Sequence, residues 1–198
     1  MFTRLLNPPE SSTFLFGPRG TGKSTWIGEH FGDATLYDLL STSESLRLSR
    51  DPGQLYREVE SQPAGSWVVI DEVQKVPALL DEVHRLIETR GLKFILSGSS
   101  ARKLRRGGTN LLAGRALVTN LYPLVSAEIG AGRPVDTALR HGSLPLAVTG
   151  ANPEPYLRAY AETYLDQEIR AEALTRDVGA FARFLEVGHD DFLGIGLG

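Results

Sequence analysis

Short apolar runs, each closed by small or charged residues, set the frame of this chain. Thr13-Phe14-Leu15-Phe16, Trp67-Val68-Val69-Ile70 and Lys93-Phe94-Ile95-Leu96 are too short for helices. They are rich in β-branched and aromatic residues and predict strands buried on both faces, as a parallel sheet requires. Thr35-Leu36-Tyr37-Asp38 reads as a second strand in chain order, and Ala116 to Leu121 as a fifth. Between them the pattern changes period. Ser24 to His30 reads as a helix, and Ser43–Arg50 and Gln54–Glu60 as two more, separated by Asp51-Pro52-Gly53. Leu79, Leu80, Val83, Leu86 and Ile87 recur at helical spacing, with Pro77 suited to the first turn and Gly91 to the stop. Strands alternating with helices predict an α/β fold, a parallel sheet covered by helices. Its functional site is expected at the carboxyl edge of the strands.

From Asn152 the character shifts. Leu157, Tyr160, Ala161, Tyr164, Leu165 and Ile169 form one apolar stripe, and Phe181, Phe184 and Leu185 continue it in a second helix. The expected organisation is a core over residues 1–150 and a small helical subdomain over 151–187. The glycine-rich segment 188–198, with no period, reads as a frayed tail.

The loop after the first strand carries the most specific chemistry. Gly17-Pro18-Arg19-Gly20-Thr21-Gly22-Lys23-Ser24-Thr25 satisfies G-x-x-x-x-G-K-[ST] at every required position. Its glycines allow dihedrals that a Cβ forbids, so backbone N–H groups can turn inward around a phosphate. Lys23 adds a compact positive charge for the terminal phosphates, and the Ser24 hydroxyl is a ligand suited to Mg²⁺. The strand before and the helix after place the loop in the context this chemistry needs. ATP or ADP is expected over GTP, since the chain has no Asn-Lys-x-Asp stretch for guanine.

The third strand ends in Asp71-Glu72. Alone, such a pair equally suits a solvated strand end. Downstream of a complete phosphate loop, Asp71 becomes a candidate Mg²⁺ ligand and Glu72 a candidate base for a water attacking the γ-phosphate. Glu72 must then leave strand alternation to face the same cleft as Asp71. The fourth strand ends in Ser97-Gly98-Ser99-Ser100. A hydroxyl there is placed to orient the water or touch the γ-phosphate, with Ser97 the first choice and Ser99 the second. The competing reading is an ordinary Ser/Gly turn.

Bulk properties narrow the field further. The chain has 198 residues, 41% hydrophobic and 23% charged, with a formal net charge of −3. Those values suit a water-soluble fold without a general affinity for nucleic acid. Zero cysteines exclude disulfides, thiolate metal sites and cysteine nucleophiles. The four histidines lack metal-ligand spacing. No run is long enough to span a bilayer, and the first nine residues lack the apolar core of a secretion signal, so the expected location is cytoplasmic, with no membrane partner.

Arg102, Lys103, Arg105 and Arg106 cluster ahead of Gly107-Gly108, and Arg115 precedes the fifth strand. The cluster suits either a solvated loop or phosphate-backbone contact with nucleic acid. Arg115, set between an apolar turn and a strand, is the candidate to bring a cation to a γ-phosphate, in cis or from a neighbouring subunit.

These segments together carry a resemblance. The phosphate loop, Val-Val-Ile-Asp-Glu-Val-Gln-Lys-Val-Pro, Phe-Ile-Leu-Ser-Gly-Ser-Ser-Ala-Arg-Lys-Leu, Leu-Ala-Gly-Arg-Ala and Tyr-Pro-Leu occur in that order. With Gly142-Ser143-Leu144-Pro145 and the stretch from Tyr160 to Ile169, they make the chain resemble prokaryotic AAA-type P-loop ATPases. Full-length members of that family carry a C-terminal restriction-nuclease-like domain of unknown function. The resemblance spans about residues 12 to 187. It implies an AAA-like sheet of strand order 5-1-4-3-2, ATP and Mg²⁺, and the roles given above for Lys23, Ser24, Asp71 and Glu72. Many members have Gln-Val where this chain has Gly20-Thr21, a change without consequence for phosphate binding. Members also continue beyond the equivalent of Val187 into the second domain, which the tail here does not match.

The leading expectation is an Mg²⁺-dependent ATPase that couples nucleotide state to an unidentified protein partner or to self-association. The alternative is a nucleotide-gated binding switch with negligible turnover. A P-loop kinase stands third, because Glu72 suits a water better than an alcohol acceptor.

Overall fold

A computed structural model describes residues 2–99, 101, 104 and 112–164. The chain divides into two compact units, Met1–Val148 and Thr149–Gly198.

The first unit is built on β1 (Thr13–Phe16), β2 (Thr35–Asp38), β3 (Trp67–Asp71), β4 (Lys93–Gly98) and β5 (Leu117–Asn120). All neighbouring pairs run parallel. The order is β2-β3-β4-β1-β5, which read from the opposite edge is 5-1-4-3-2. Central strands β1, β3 and β4 are buried almost throughout, while edge strands β2 and β5 are mostly exposed. That contrast explains the continuous apolar runs in the three central strands and the mixed composition of the other two.

Side-chain alternation assigns each strand residue to a face. Phe14, Phe16, Val68, Ile70, Phe94 and Leu96 enter one core cluster, joined by residues of α2 (Thr42–Arg50), α3 (Gly53–Val59) and α4 (Leu79–Arg90). Leu15, Val69 and Ile95 point the other way and meet Trp26, Ile27 and Phe31 of α1 (Lys23–His30) and its end. Helices therefore cover both faces. Helix α4 stops at Gly91, whose φ of 64° is the left-handed conformation that glycine adopts without a Cβ penalty. Pro77 precedes the helix rather than standing in its first turn. Its carbonyl accepts from Leu80 N at 3.0 Å, and Ala78 is the cap. Beyond β5 come α5 (Ser126–Ile129), α6 (Val135–His141) and α7 (Pro145–Thr149).

Of the second unit the described helix is α8 (Pro153–Tyr164). Its Tyr156 and Tyr160 rings lie 6.1 Å apart. The predicted second helix through Phe181, Phe184 and Leu185, the stripe residues Leu165 and Ile169, and the tail 188–198 lie outside the described residues. Among the described residues no helix is long and apolar enough to cross a membrane.

Candidate functional site

At the carboxyl edge of the sheet, the loop from Gly17 to Gly22 connects β1 to α1. Gly17 is required by a close approach, since a Cβ there would stand 2.1 Å from the Leu121 carbonyl oxygen. Gly22 caps α1 with φ 91°, so the chain enters the helix through a left-handed residue. Among the described residues no side chain caps this helix end. Thr21 is fully buried, and its hydroxyl donates to the Pro18 carbonyl at 2.9 Å, bracing the loop from inside. Lys23 is 8% exposed, and its ammonium donates to the carbonyls of Gly17 at 2.7 Å and Pro18 at 3.1 Å. The lysine is thereby held against the loop.

Alternation and register bring the second group to the same place. Asp71 shares the face of Val69, and Ser97 the face of Ile95, the side on which α1 packs. With Ile70 opposite Leu96, the next positions are Asp71 and Ser97. The Ser97 hydroxyl donates to Asp71 Oδ1, and the Ser24 hydroxyl donates to Asp71 Oδ2 at 3.0 Å. One carboxylate thus receives a hydroxyl from β4 and another from α1.

Glu72 departs from alternation. The strand ends at Asp71, and Glu72 takes φ 58° and ψ 44° ahead of a 3-10 turn, Val73–Lys75. A left-handed residue other than glycine costs on the order of 1 kcal/mol, and such strain is concentrated at functional sites. Here it turns Glu72 into the cleft shared with Asp71. That cleft has a volume of about 370 Å³ and is lined by Arg19, Lys23, Ser24, Leu40, Asp71 and Glu72, together with Gly20, Gly22 and Thr25. The Glu72 carboxylate also accepts a hydrogen bond from Gln74 Nε2.

Other expectations fall elsewhere. Ser97 belongs to the body of β4, which runs to Gly98, and its side chain is fully buried. Its hydroxyl serves Asp71 and receives Glu72 N at 3.4 Å, so it stands behind the carboxylates rather than lining the cleft. Ser99 follows the strand and is half-buried. Arg115 stands at the other end of a strand. It lies two residues before Leu117, at the amino edge of the sheet, where Leu117 N bonds to Ser12 O. Its guanidinium donates to the Glu88 carboxylate on α4. The length of a four-residue strand, about 13 Å at ~3.3 Å per residue, separates that edge from the phosphate loop. In this structure Arg115 is therefore directed to Glu88 and not to the phosphate loop. Arg102, Lys103, Arg105 and Arg106 lie outside the described residues.

Three residues of the site escaped the sequence reading. Leu40 follows β2 and lines the cleft. Gln74 contacts Glu72. Arg4 binds the loop from outside, donating to the Thr21 carbonyl and the Tyr122 carbonyl, each at 2.6 Å, and pairing with Glu128 at 3.0 Å. Burial pushes the Glu128 pKa up, but N–H donors from Leu5 and Val125 and the Arg4 guanidinium prevail and hold it below the ordinary glutamate range. Only the strand order made Leu40 findable, since the end of β2 adjoins that of β3.

A carboxylate and a hydroxyl 3.0 Å apart are hard oxygen donors of the type Mg²⁺ takes. Among the described residues no three His, Cys, Asp or Glu side chains gather as a metal cage. Mg²⁺ in nucleotide sites commonly uses one or two protein oxygens, with water and phosphate supplying the rest, so the donor set fits that ion. A family model described as an AAA domain matches residues 10–130, over half of the chain. No curated protein matches it.

Proposed function

Because the chain belongs to the AAA domain family, a family of nucleotide-binding ATPase modules, we propose that it binds and hydrolyses ATP with Mg²⁺ and converts nucleotide state into a change of partner contacts. The observation that carries this reading is the joining of Ser24, Asp71 and Glu72 at one cleft floored by the phosphate loop. Loop amides and the amino end of α1 receive the phosphates, and Lys23 balances the terminal charge. Ser24 and Asp71 would hold Mg²⁺, which would supply positive charge against that building on the phosphates. Ser97 fixes Asp71 through its hydroxyl rather than touching water. Glu72 accepts a proton from the attacking water as its oxygen bonds to the γ-phosphorus and the bond to the bridging oxygen breaks, releasing ADP and phosphate.

Glu72→Gln is the deciding variant. Turnover is expected to fall by about 10²- to 10⁴-fold while ATP affinity stays near that of the wild type. Unchanged turnover would remove Glu72 from the mechanism.

The placement of Arg115 at the opposite sheet edge favours a second reading for the isolated chain. Without an arginine delivered by a neighbour, it acts as a nucleotide-gated switch with negligible turnover. Tight ATP binding without phosphate release at any protein concentration would support that reading against the first.

The ordered motif series further supports placing the chain among the AAA-type ATPases whose full-length members carry a C-terminal nuclease-like domain. The partner is a protein or a second copy. Association with nucleic acid through Arg102, Lys103, Arg105 and Arg106 is a separate proposal. It requires binding that weakens steeply with salt.

A further inference from the structure

Gln74 is the remaining polar side chain bonded to Glu72 whose placement the site chemistry has not used. The left-handed Glu72 folds the chain into the 3-10 turn, closed by Lys75 N to Glu72 O at 2.9 Å and Val76 N to Val73 O at 3.1 Å. Fully buried Val73 anchors that turn in the core. Gln74 is thereby returned toward the carboxylate two positions earlier, and its Nε2 donates to Glu72 Oε2. The other end of the amide lies against the end of β4. A Cβ on Gly98 would stand 2.5 Å from Gln74 Oε1, so glycine at this position makes room for the amide.

That oxygen is buried and has no hydrogen-bond partner among the described residues. An unpaired buried acceptor is unfavourable, and an apolar side chain of the same length would carry no such penalty. Among the described residues the amide bonds to Glu72, and only Nε2 can donate to a carboxylate. We propose that Gln74 is a positioning residue for hydrolysis: it holds one oxygen of Glu72 so that the other is fixed to receive the proton of the attacking water. The inference rests on the assignment of Glu72 as the base.

The test uses the full chain, with steady-state phosphate release, ATP affinity by calorimetry and thermal unfolding. Gln74→Met removes the donor and the orphaned oxygen while keeping an unbranched side chain. Turnover is expected to fall about 10- to 100-fold, the loss typical of a misplaced reacting group. ATP affinity should stay within about twofold of wild type, and the melting temperature should be equal or higher, because the unpaired acceptor is gone. Gln74→Leu should behave alike. In a Glu72→Gln background, Gln74→Met should cause no further loss, since a residue acting through Glu72 has nothing left to position. Wild-type turnover in both Gln74 variants would overturn the inference while leaving the ATPase reading intact. So would an equal additional loss in the Glu72→Gln background, or failure of both variants to fold. Absence of turnover in the wild-type chain would overturn both.

Discussion

The Ser24 hydroxyl lies 3.0 Å from Asp71 Oδ2, joining residues 47 positions apart. The pair ties the first turn of α1 to the end of β3, and both atoms are oxygens of the kind Mg²⁺ takes. Ser24→Ala removes one of them and leaves the loop backbone intact. Calorimetry with ADP should therefore show nearly wild-type affinity in EDTA and a loss of most of the gain that Mg²⁺ brings. If the Mg²⁺-dependent gain survives in full, Ser24 is not a ligand.

Ser97 acts on the same carboxylate from the opposite side. It is fully buried and donates to Asp71 Oδ1. Ser97→Ala leaves that oxygen without its donor inside the protein, and unfolding measurements should show a loss of about 1–3 kcal/mol. Turnover should fall as well, through a less firmly held Asp71. A variant that loses turnover with no change in stability would restore Ser97 to direct contact with the reaction.

The meeting of Asp71 and Ser97 was legible in the sequence once the two strands were recognised. Val69 and Ile95 define a face, and a period of two carries it to Asp71 and Ser97. The amino-edge position of Arg115 was legible too, because a residue preceding a strand of a parallel sheet lies at the edge opposite the phosphate loop. Arg4 could not be found this way. Its contacts with Tyr122 and Glu128 span 118 and 124 positions, and no local pattern encodes such a reach. Gln74 depended on the left-handed Glu72, a conformation that propensity disfavours for this residue type and that the surrounding packing imposes.

The amino-edge position of Arg115 suits delivery to a nucleotide by another copy. If another copy delivers it, phosphate release per chain should rise with protein concentration as copies associate, and Arg115→Ala should abolish that rise while leaving ATP affinity unchanged. The Glu88 partner must be released for this to happen, and the ion pair is solvent-exposed on both sides, so its loss is inexpensive. Identical concentration dependence in the variant would exclude the in-trans role.

The Arg4–Glu128 pair links the phosphate loop to α5, with both side chains under 10% exposed. Glu128 has its pKa lowered in the folded state despite burial, because Leu5 N, Val125 N and Arg4 all favour the carboxylate. A folded-state pKa below the unfolded one gives stability that is present above the unfolded value, near 4.5, and is lost as pH falls through the folded value. Glu128→Gln removes the charge, so it should melt well below wild type at neutral pH. The gap should narrow as pH drops below 4.5, where the wild type loses the same contribution. ATP affinity at neutral pH should weaken alongside, since Arg4 then holds the Thr21 carbonyl without its counter-charge. A melting-temperature gap that stays constant from pH 7 to the acid limit would show that Glu128 contributes by packing and not by charge.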